Sequence, residues 1–317
     1  MSAQVSGPSV TTVTGPDIRP SPAERFFNIL GMAAIHGGAI VALFLGARPI
    51  DLALCGAFYV IRMFVITAGY HRYFSHRTFK TSRAFQFLIG LLGTTCTQKG
   101  PLWWAATHRK HHRESDGPND VHSPIQRGFW YSHIGWILGG DHDQYDPNDV
   151  KDLYKYPELR WLDRWHVVPV LTFIALTAIF GGLRGVAWWY AMSTMLLMHG
   201  TFTINSLSHV WGKRVFNTTD DSRNNWLLAI ITLGEGWHNN HHRYMQAVNQ
   251  GFFWWQIDVS YSTLKVLSWF GIVWDLKKPP QRILDEARRG SPAPFAKVTE
   301  QVQAQVHDAL LIPQDAE

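Results

Sequence analysis

A short run of histidines in the last third of the chain constrains this 317-residue protein most. His238, His241 and His242 follow the spacing HxxHH within the segment GEGWHNNHH, residues 234–242. On an α-helix, positions i, i+3 and i+4 share a face, so the three imidazoles can point at one place. This spacing is typical of metal ligands.

Earlier histidine clusters repeat the pattern. The chain contains a further HxxxxH pair, a second HxxHH run, and a single histidine one helical turn after Asn205; in order these are His71, His76, His108, His111, His112 and His209. A tetrahedral zinc uses about four ligands, so nine clustered imidazoles predict two metal ions. Imidazole suits iron, zinc, copper and nickel, and composition alone does not choose among them.

The remaining histidines are scattered, and we interpret them as structural. Most of them do not cluster, namely His122, His133, His142, His166 and His307. His36 and His199 lie inside apolar segments. His199 is the candidate exception, because polar groups inside a membrane are often functional.

Apolar segments predict four transmembrane helices. Residues 26–47 carry no charge and can cross about 30 Å of hydrocarbon. Residues 52–70 form a second span that contains Arg62, which we expect to face protein rather than lipid. Residues 167–180 and 186–209 give the third and fourth spans.

The segment 84–98 is apolar but only about 22 Å long as a helix, so we predict an interfacial or re-entrant element. The short turns on the opposite side from the histidines hold only Arg48 and Arg184. By the positive-inside rule, the metal site and both termini then lie on the cytoplasmic side of a multi-pass membrane protein. No signal-peptide pattern precedes the first span.

The ends of the chain differ from its middle. Residues 1–22 are rich in Ser, Thr, Pro and Gly and are predicted to be disordered. Residues 23–280 form the predicted membrane domain, and residues 281–317 form a polar C-terminal tail. The aromatic segment 252–255 either lies along the membrane face or forms an ordinary buried helix.

Bulk composition agrees with a membrane protein that has a basic surface. The chain has 15 Trp, and Trp and Tyr concentrate at membrane interfaces. Cys55 and Cys96 lie in apolar runs and are expected to be buried thiols rather than a disulfide. The isoelectric point near 9.2 suits contact with lipid head groups, with an acidic electron donor, or with solvent alone.

The boxes HRYFSH (71–76), HRKHH (108–112) and HNNHH (238–242), with NSLSH (205–209) before the last, resemble those of the membrane-bound fatty acyl desaturases. The stearoyl (Δ9) type is the most similar. The resemblance covers about residues 61–276 and includes the flanks ITAG (66–69), RGF (127–129), HIGW (133–136) and WWQID (254–258). It implies an all-α membrane protein with a cytoplasmic helical cap, in which two iron ions use O2 to introduce a cis double bond into a saturated acyl chain.

The resemblance also implies roles for individual residues. It assigns all nine clustered histidines as iron ligands, and Asn205 as a contact to the metal through a water. A side-chain amide can hold such a water without adding charge. Ligand histidines need partners for their second ring nitrogen, and the acidic residues near the boxes are candidates: Asp116, Asp120, Asp221 and Glu235.

Removing hydrogen from an unactivated methylene needs an oxidant that side chains do not supply. Soluble di-iron bundles use Glu and Glu-x-x-His ligands, and no such motif recurs here on paired spans. The sequence also has no Gly-rich dinucleotide motif, no CxxC pair and no His-Pro-Gly-Gly haem motif. We therefore expect electrons from a separate protein, such as a ferredoxin, a rubredoxin or a cytochrome b5-like donor, together with its reductase.

One departure from the family bears on the acyl carrier. Animal acyl-CoA desaturases carry charged residues where this chain has Ala106-Thr107 and Gly139-Gly140. Acyl-CoA could still be bound through Lys99 or Arg127, and acyl chains on membrane lipids are a competing substrate class.

The depth of the acyl tunnel can be predicted from the first box. With a double bond at carbon nine of eighteen, the carbons beyond the metals span roughly 11 Å, or about seven to eight residues of helix rise. Counting back from His71 reaches Met63, with Tyr59 one turn deeper on the same face. We predict that Met63 closes the tunnel and Tyr59 lies behind it; the alternative is that both face lipid or other helices.

Two other functions compete with desaturation. A membrane di-iron hydroxylase of alkyl or sterol substrates would use the same boxes and insert oxygen. A non-enzymatic metal transporter or store would instead distribute histidines along its spans, whereas these gather at one membrane face.

Overall fold

The computed structural model describes residues 22–289 apart from 141 and 143. The predicted disordered segment, except residue 22, and the tail after residue 289 lie outside the described residues. The described part is mostly helical with little strand, as predicted.

The helices follow one another with short connections. In chain order they are α1 Pro22–Leu45, α2 Pro49–Phe64, α3 Arg83–Thr94, α4 Pro101–Glu114, α5 Pro124–Arg127, α6 Trp136–Gly139, α7 Lys151–Tyr154, α8 Pro157–Arg164, α9 Val167–Arg184, α10 Ser193–Asn205, α11 Trp226–Ile231, α12 His238–Arg243, α13 Val259–Trp269 and α14 Gln281–Arg289. Segments of π-helix cover Val65–Ser75, Tyr131–Gly135 and Gly185–Met192, and 3-10 turns cover Pro147–Val150 and Leu207–His209. Strand β1 (Lys80–Thr81) pairs antiparallel with β2 (Val273–Trp274).

Within residues 22–289, three runs of helix are long and apolar enough to cross a membrane: Pro22–Leu45, Pro49–Ser75 and Val167–His209. The last run has 43 residues and contains both of the predicted third and fourth spans. As a straight helix it would measure roughly 64 Å, about twice the hydrocarbon thickness.

The long run reverses at Gly182. This residue has φ 59° and ψ −147°, which is outside helical geometry and is readily adopted only by glycine. After it, a Cβ on Gly185 would overlap the carbonyl oxygen of Thr177, so the two halves pack closely. The sequence predicted four separate spans, and the described residues instead form three long apolar runs. The third run is folded back on itself at Gly182.

Arg62 faces protein, as predicted. Its side chain is buried and donates to Ser193 Oγ (2.5 Å), to Thr194 Oγ1 (2.8 Å) and to the carbonyl of Thr95 (3.2 Å). These neutral acceptors come from α10 and from the end of α3. Arg62 thus ties α2 to both elements.

Helix α3 has 12 residues, or about 18 Å, and is too short to cross the membrane, in agreement with its prediction. It packs beside the π-helix Val65–Ser75, where Ile89 and Phe74 belong to the main hydrophobic core. This packing holds the first histidine box against the rest of the helical cap.

A buried arginine joins the first box to the third. Arg72 donates to Glu235 Oε1 (2.9 Å) and to Asp258 Oδ1 (2.9 Å), and it also donates to the carbonyl of Val248. All three charged side chains are nearly inaccessible. The residue beside His71 therefore fixes the loop that leads into α12.

The C-terminal part of the described chain packs near the end of α12. Ile283 of α14, at the start of the predicted tail, is buried with Phe216 and Phe252, and Glu286 pairs with Arg243 at 2.6 Å. Residues 252–255 do not form a helix, and Trp254 is 90% exposed. Of the two alternatives given for this segment, the ordinary buried helix was wrong.

Candidate metal centre

The nine clustered histidines converge in two groups whose ligand atoms lie within 4.8 Å of one another inside each group. The first group contains His71, His76, His108, His112 and His241. The second contains His111, His209, His238 and His242. The two groups are adjacent, since the rings of His112 and His242 lie 4.4 Å apart.

Each HxxHH box is shared between the groups. On α4, His108 and His112 are four residues apart and face the first group, while His111 faces the second. On α12 the assignment is reversed, because His238 and His242 face the second group and His241 the first. Adjacent helical residues diverge by about 100°, so they reach two different places.

The sequence interpretation that one box points at a single place was therefore too simple. Both boxes bridge the two groups, and each contributes an i, i+4 pair to one of them. Helix α4 thus supplies two ligands to the first group and one to the second, whereas α12 supplies one to the first and two to the second.

A π-helical turn aligns the first box. His71 and His76 are five residues apart, which on an α-helix would place them roughly 140° apart. The segment Val65–Ser75 is instead π-helical, and the His76 N–H donates to the His71 carbonyl at 3.3 Å. With an i→i+5 repeat, the two rings share a face, and their centroids lie 4.9 Å apart.

Carboxylates hold the second ring nitrogen of several histidines. His111 Nδ1 donates to Asp120 (2.9 Å), His209 Nδ1 to Asp116 (2.8 Å) and His242 Nδ1 to Asp220 (2.7 Å). His71 Nδ1 contacts Glu235 in the same way. A proton on Nδ1 leaves Nε2 of a neutral ring with a free lone pair directed into the group.

The structure confirms three of the four predicted carboxylate partners and corrects the fourth. Asp221 pairs with Arg214 at 2.9 Å, and the adjacent Asp220 contacts His242 instead. Two neighbouring aspartates point in opposite directions here. No sequence signal distinguishes them, so this residue could be found only from coordinates.

Burial favours the neutral form of most of the clustered imidazoles. It is the largest cause that lowers the pKa of six of them: His76, His108, His112, His238, His241 and His242. Burial alone would raise the pKa of Asp120 and Asp220, but their histidine partners lower it below the ordinary range. The site therefore combines these six neutral imidazoles with ionised carboxylates.

The donor set fits bound cations. His71 Nε2 lies 3.0 Å from His241 Nε2, and His209 Nε2 lies 3.1 Å from His238 Nε2. Because His71 and His209 place their proton on Nδ1, their Nε2 lone pairs face other ring nitrogens. His242 Nε2 is buried and has no hydrogen-bond partner. Convergent lone pairs of this kind are what a metal ion requires.

An apolar cavity of about 370 Å³ reaches this centre. Its wall includes His71, His111 and His238 together with Asn205, the residue predicted to contact a metal through water. The backbone of Asn205 is held by Ser132, whose Oγ donates to its carbonyl at 2.9 Å. The cavity therefore joins both histidine groups to a space suited to hydrocarbon.

Met63, on α2, lines the cavity and is fully buried. A Cβ on Gly200 would lie 2.9 Å from Met63 Cε and 3.2 Å from the Tyr59 hydroxyl. Tyr59 does not line the cavity, and its hydroxyl donates to the Ile231 carbonyl at 2.6 Å. These positions are compatible with Met63 as the end of the tunnel, which stays a prediction.

Some scattered histidines have partners that the sequence did not reveal. His122 is buried beside His111 with ring centroids 4.3 Å apart, and with Asp120 it forms a third group of potential ligands. Inside the membrane helices, His36 and His199 are joined at 2.9 Å, and His199 is joined to His133 at 3.0 Å. Their spacing along the chain is irregular, so no local pattern predicts these contacts.

Comparison with known proteins identifies the family. The family model described as fatty acid desaturase matches residues 47–264. An acyl-CoA C20 Δ5-desaturase of Anemone leveillei is 38% identical over 275 residues, covering 83% of this chain and 85% of that protein. An sn-2 palmitoyl-lipid 9-desaturase of Nostoc is 33% identical over 271 residues, covering 84% and 95%.

A third relative is the sn-1 stearoyl-lipid 9-desaturase of Anabaena variabilis, which is 32% identical over 260 residues and covers 81% of this chain and 95% of that protein. These relatives act on different acyl carriers and at different carbons by their names. What they share is the reaction class. The protein described above, with its histidine groups and apolar helices, belongs to the fatty acid desaturase family of oxidoreductases.

Proposed function

We propose that this protein is an O2-dependent di-iron desaturase that introduces a cis double bond, at the Δ9 position, into a saturated fatty acyl chain. The observation that carries the proposal is the contact between an apolar cavity and two groups of convergent histidines. Two irons bound by these groups would supply the O2-derived oxidant that an unactivated methylene requires.

The residues around the cavity would have separate roles in this reaction. The nine histidines would hold the irons, and the carboxylates Asp116, Asp120, Asp220 and Glu235 would orient four of the rings. Asn205 would hold a water between its amide and a metal. The buried walls would exclude bulk water from the reacting methylene groups.

Four membrane crossings, with the metal site and both termini on the cytoplasmic side, belong to the same proposal. Asp51, after the first turn, binds both Arg48 (2.9 Å) and Arg184 (2.6 Å). Arg184 also donates to the carbonyl of Gly46. The turn between α1 and α2 and the reversal near Gly182 thus meet at one end, which supports two helical hairpins.

The tunnel end would set chain length, with Met63 closing it and Tyr59 behind. The thioether of Met63 is fully buried. It packs against Gly200 on one side and lines the cavity on the other. The distance from the metals to Met63 would then place the double bond in the middle of a long acyl chain.

Electrons would come from a separate donor, either a ferredoxin, a rubredoxin or a cytochrome b5-like protein, kept reduced by its own reductase. The chain has a formal net charge of +5. Such a charge favours association with an acidic partner.

Analysis of lipids from cells that express the chain tests the function. Desaturation removes two hydrogens from a host acyl chain, whereas a hydroxylase would add one oxygen. We expect a new cis monoene with its double bond at carbon nine, absent from cells that express His241→Ala. A hydroxylated product, or no product from the parent chain in the presence of iron and O2, would reject the proposal.

A further inference from the structure

The mouth of the cavity opens between the starts of two candidate membrane spans. Among the described residues that line the cavity, the exposed ones are Phe27, Gly31 and Val167, and the others are half-buried or buried. Phe27 and Gly31 lie near the start of α1, and Val167 begins α9. Both helices belong to the candidate membrane spans, so this mouth lies where two spans would enter the bilayer.

We propose that the acyl substrate is a chain still esterified to a membrane lipid, and that it enters sideways from the bilayer between the starts of α1 and α9. This inference rests on the proposed function, and it assigns the carrier of the acyl chain. The lipid head group would stay at the membrane surface while one acyl chain passes through the mouth to the histidine groups.

The surface around the mouth suits hydrocarbon. Exposed side chains beside it on the two helices are Phe26 (59%), Leu30 (50%), Val168 (43%) and Leu171 (58%). A coenzyme A carrier has several charged phosphates, which these apolar side chains cannot neutralise. A diacyl lipid would place hydrocarbon against the same surface without burying a charge.

Cationic side chains flank the mouth within one helical turn. Arg25 precedes Phe27 on α1, and Arg164 ends α8 just before Val167; both are exposed. The Arg164 guanidinium lies over the ring of Trp165 at 5.4 Å. Arginine and tryptophan together are typical of the head-group level of a bilayer. An ester linkage anchored at this level would leave its acyl chain directed along the mouth.

The inner wall also lacks charge at the place where the sequence departs from the animal acyl-CoA desaturases. Ala106 and Thr107 are buried, and Thr107 lines the cavity. Neither can neutralise a phosphate. These two positions are therefore suited to an acyl chain, and Lys99, which also lines the cavity, has its Nζ over the ring of Trp103 at 4.7 Å.

Gly31 offers a direct way to close the mouth. A Cβ built on Gly31 meets no atom within 4 Å, so a larger side chain can be accommodated there without strain in the helix. Gly37 on the same helix has the same free space but does not line the cavity. Gly31→Phe and Gly37→Phe are therefore a matched test and control.

Photolabelling measures entry without requiring turnover. The purified full-length protein is placed in phosphatidylcholine vesicles in which one acyl chain carries a diazirine, and it is irradiated. We expect crosslinks on inner cavity residues such as Met198 and Phe202, loss of these crosslinks in Gly31→Phe, and their retention in Gly37→Phe. Excess stearoyl-CoA should leave the crosslinks unchanged.

Several outcomes would overturn the inference. These are crosslinks confined to lipid-facing surfaces, equal labelling of the two glycine variants, and displacement of the label by stearoyl-CoA. Equal labelling would place the entrance elsewhere, and displacement would assign coenzyme A as the carrier.

Turnover then separates this inference from the proposed function. Iron-loaded protein with reductant is given either vesicles of labelled phosphatidylcholine or labelled stearoyl-CoA. Conversion of the intact lipid supports the inference, and conversion of stearoyl-CoA alone overturns it while leaving the desaturase intact. Labelling of the cavity by lipid without desaturation of either donor would overturn the proposed function and keep the lipid site.

Discussion

The histidine centre and the cavity that leads to it are built in different ways. At the centre, directional hydrogen bonds fix the rings, as between His242 and Asp220 (2.7 Å) or His209 and Asp116 (2.8 Å). Along the cavity, apolar side chains such as Met63, Ile66 and Phe202 supply contact area without directional bonds.

This difference predicts different responses to mutation. Removing one ligand or its carboxylate disturbs a geometry that no neighbouring group can restore. Removing part of an apolar wall changes volume, to which flexible hydrocarbon can adapt. The centre should therefore determine whether the reaction occurs, and the cavity which acyl chains undergo it.

The largest effect is expected from removing a ligand. His111→Ala and His241→Ala each delete one ligand from a different group, so each should abolish activity and release at least one of two irons per chain. Metal analysis of the membrane-extracted protein measures the loss. His36→Gln, outside both groups, should keep both irons. Full activity with one zinc per chain would contradict this account of the centre.

A smaller loss of metal binding is expected from changing the carboxylate behind a ligand. The adjacent residues Asp220 and Asp221 provide a matched pair for this test. Asp220→Asn weakens the hold on His242 Nδ1 and should reduce metal affinity by about 10–100-fold. Asp221→Asn removes only the pairing with Arg214 and should leave metal affinity close to that of the parent. Competition with a chelator gives both affinities. Equal losses would show that the carboxylate contact to His242 does not tune the centre.

The cavity should respond with a change of preference rather than a loss. Met63→Ala removes most of a fully buried side chain and should admit about two to three more carbons. Met63→Trp should favour shorter chains. In both variants the double bond should keep its position counted from the carboxyl end.

The measurement for Met63 is the product chain-length profile of each variant. Met195→Ala provides a control, because Met195 is half-buried against apolar residues such as Tyr190 and Met198 but does not line the cavity. Parent profiles in both Met63 variants would mean that the tunnel ends elsewhere and that the depth argument is wrong.

The smallest effect concerns neither region but the supply of electrons to the centre. Salt screens attraction between exposed charges, so turnover with an acidic ferredoxin should fall as ionic strength rises from low to moderate values. Turnover with dithionite as reductant controls for direct effects of salt on the enzyme. If rates are independent of salt with every protein donor, association through a basic surface is excluded.

Much of the centre could be predicted from the sequence, because most of its histidines lie close together along the chain. Three boxes and one isolated histidine contain all nine members of the two groups. The hydropathy of the spans and the inward direction of Arg62 were also predictable, since both depend on the cost of placing charge in hydrocarbon.

What could not be predicted depends on backbone geometry or on distant contacts. The π-helical turn that aligns His71 with His76 has no established sequence signal, and the interpretation of HxxHH as one face hid its division between two groups. The choice of Asp220 over Asp221 and the link from His133 to His199 depend on elements far apart in the chain.

The most direct test of the central claim uses an acyl substrate that carries deuterium on carbons nine and ten. Iron-loaded protein is given this substrate with a reducing system and O2, and the product is analysed by mass spectrometry. The account predicts a monoene that has lost one deuterium from each of these two carbons. A product that has gained an oxygen, or a monoene that retains all of its deuterium, would contradict it.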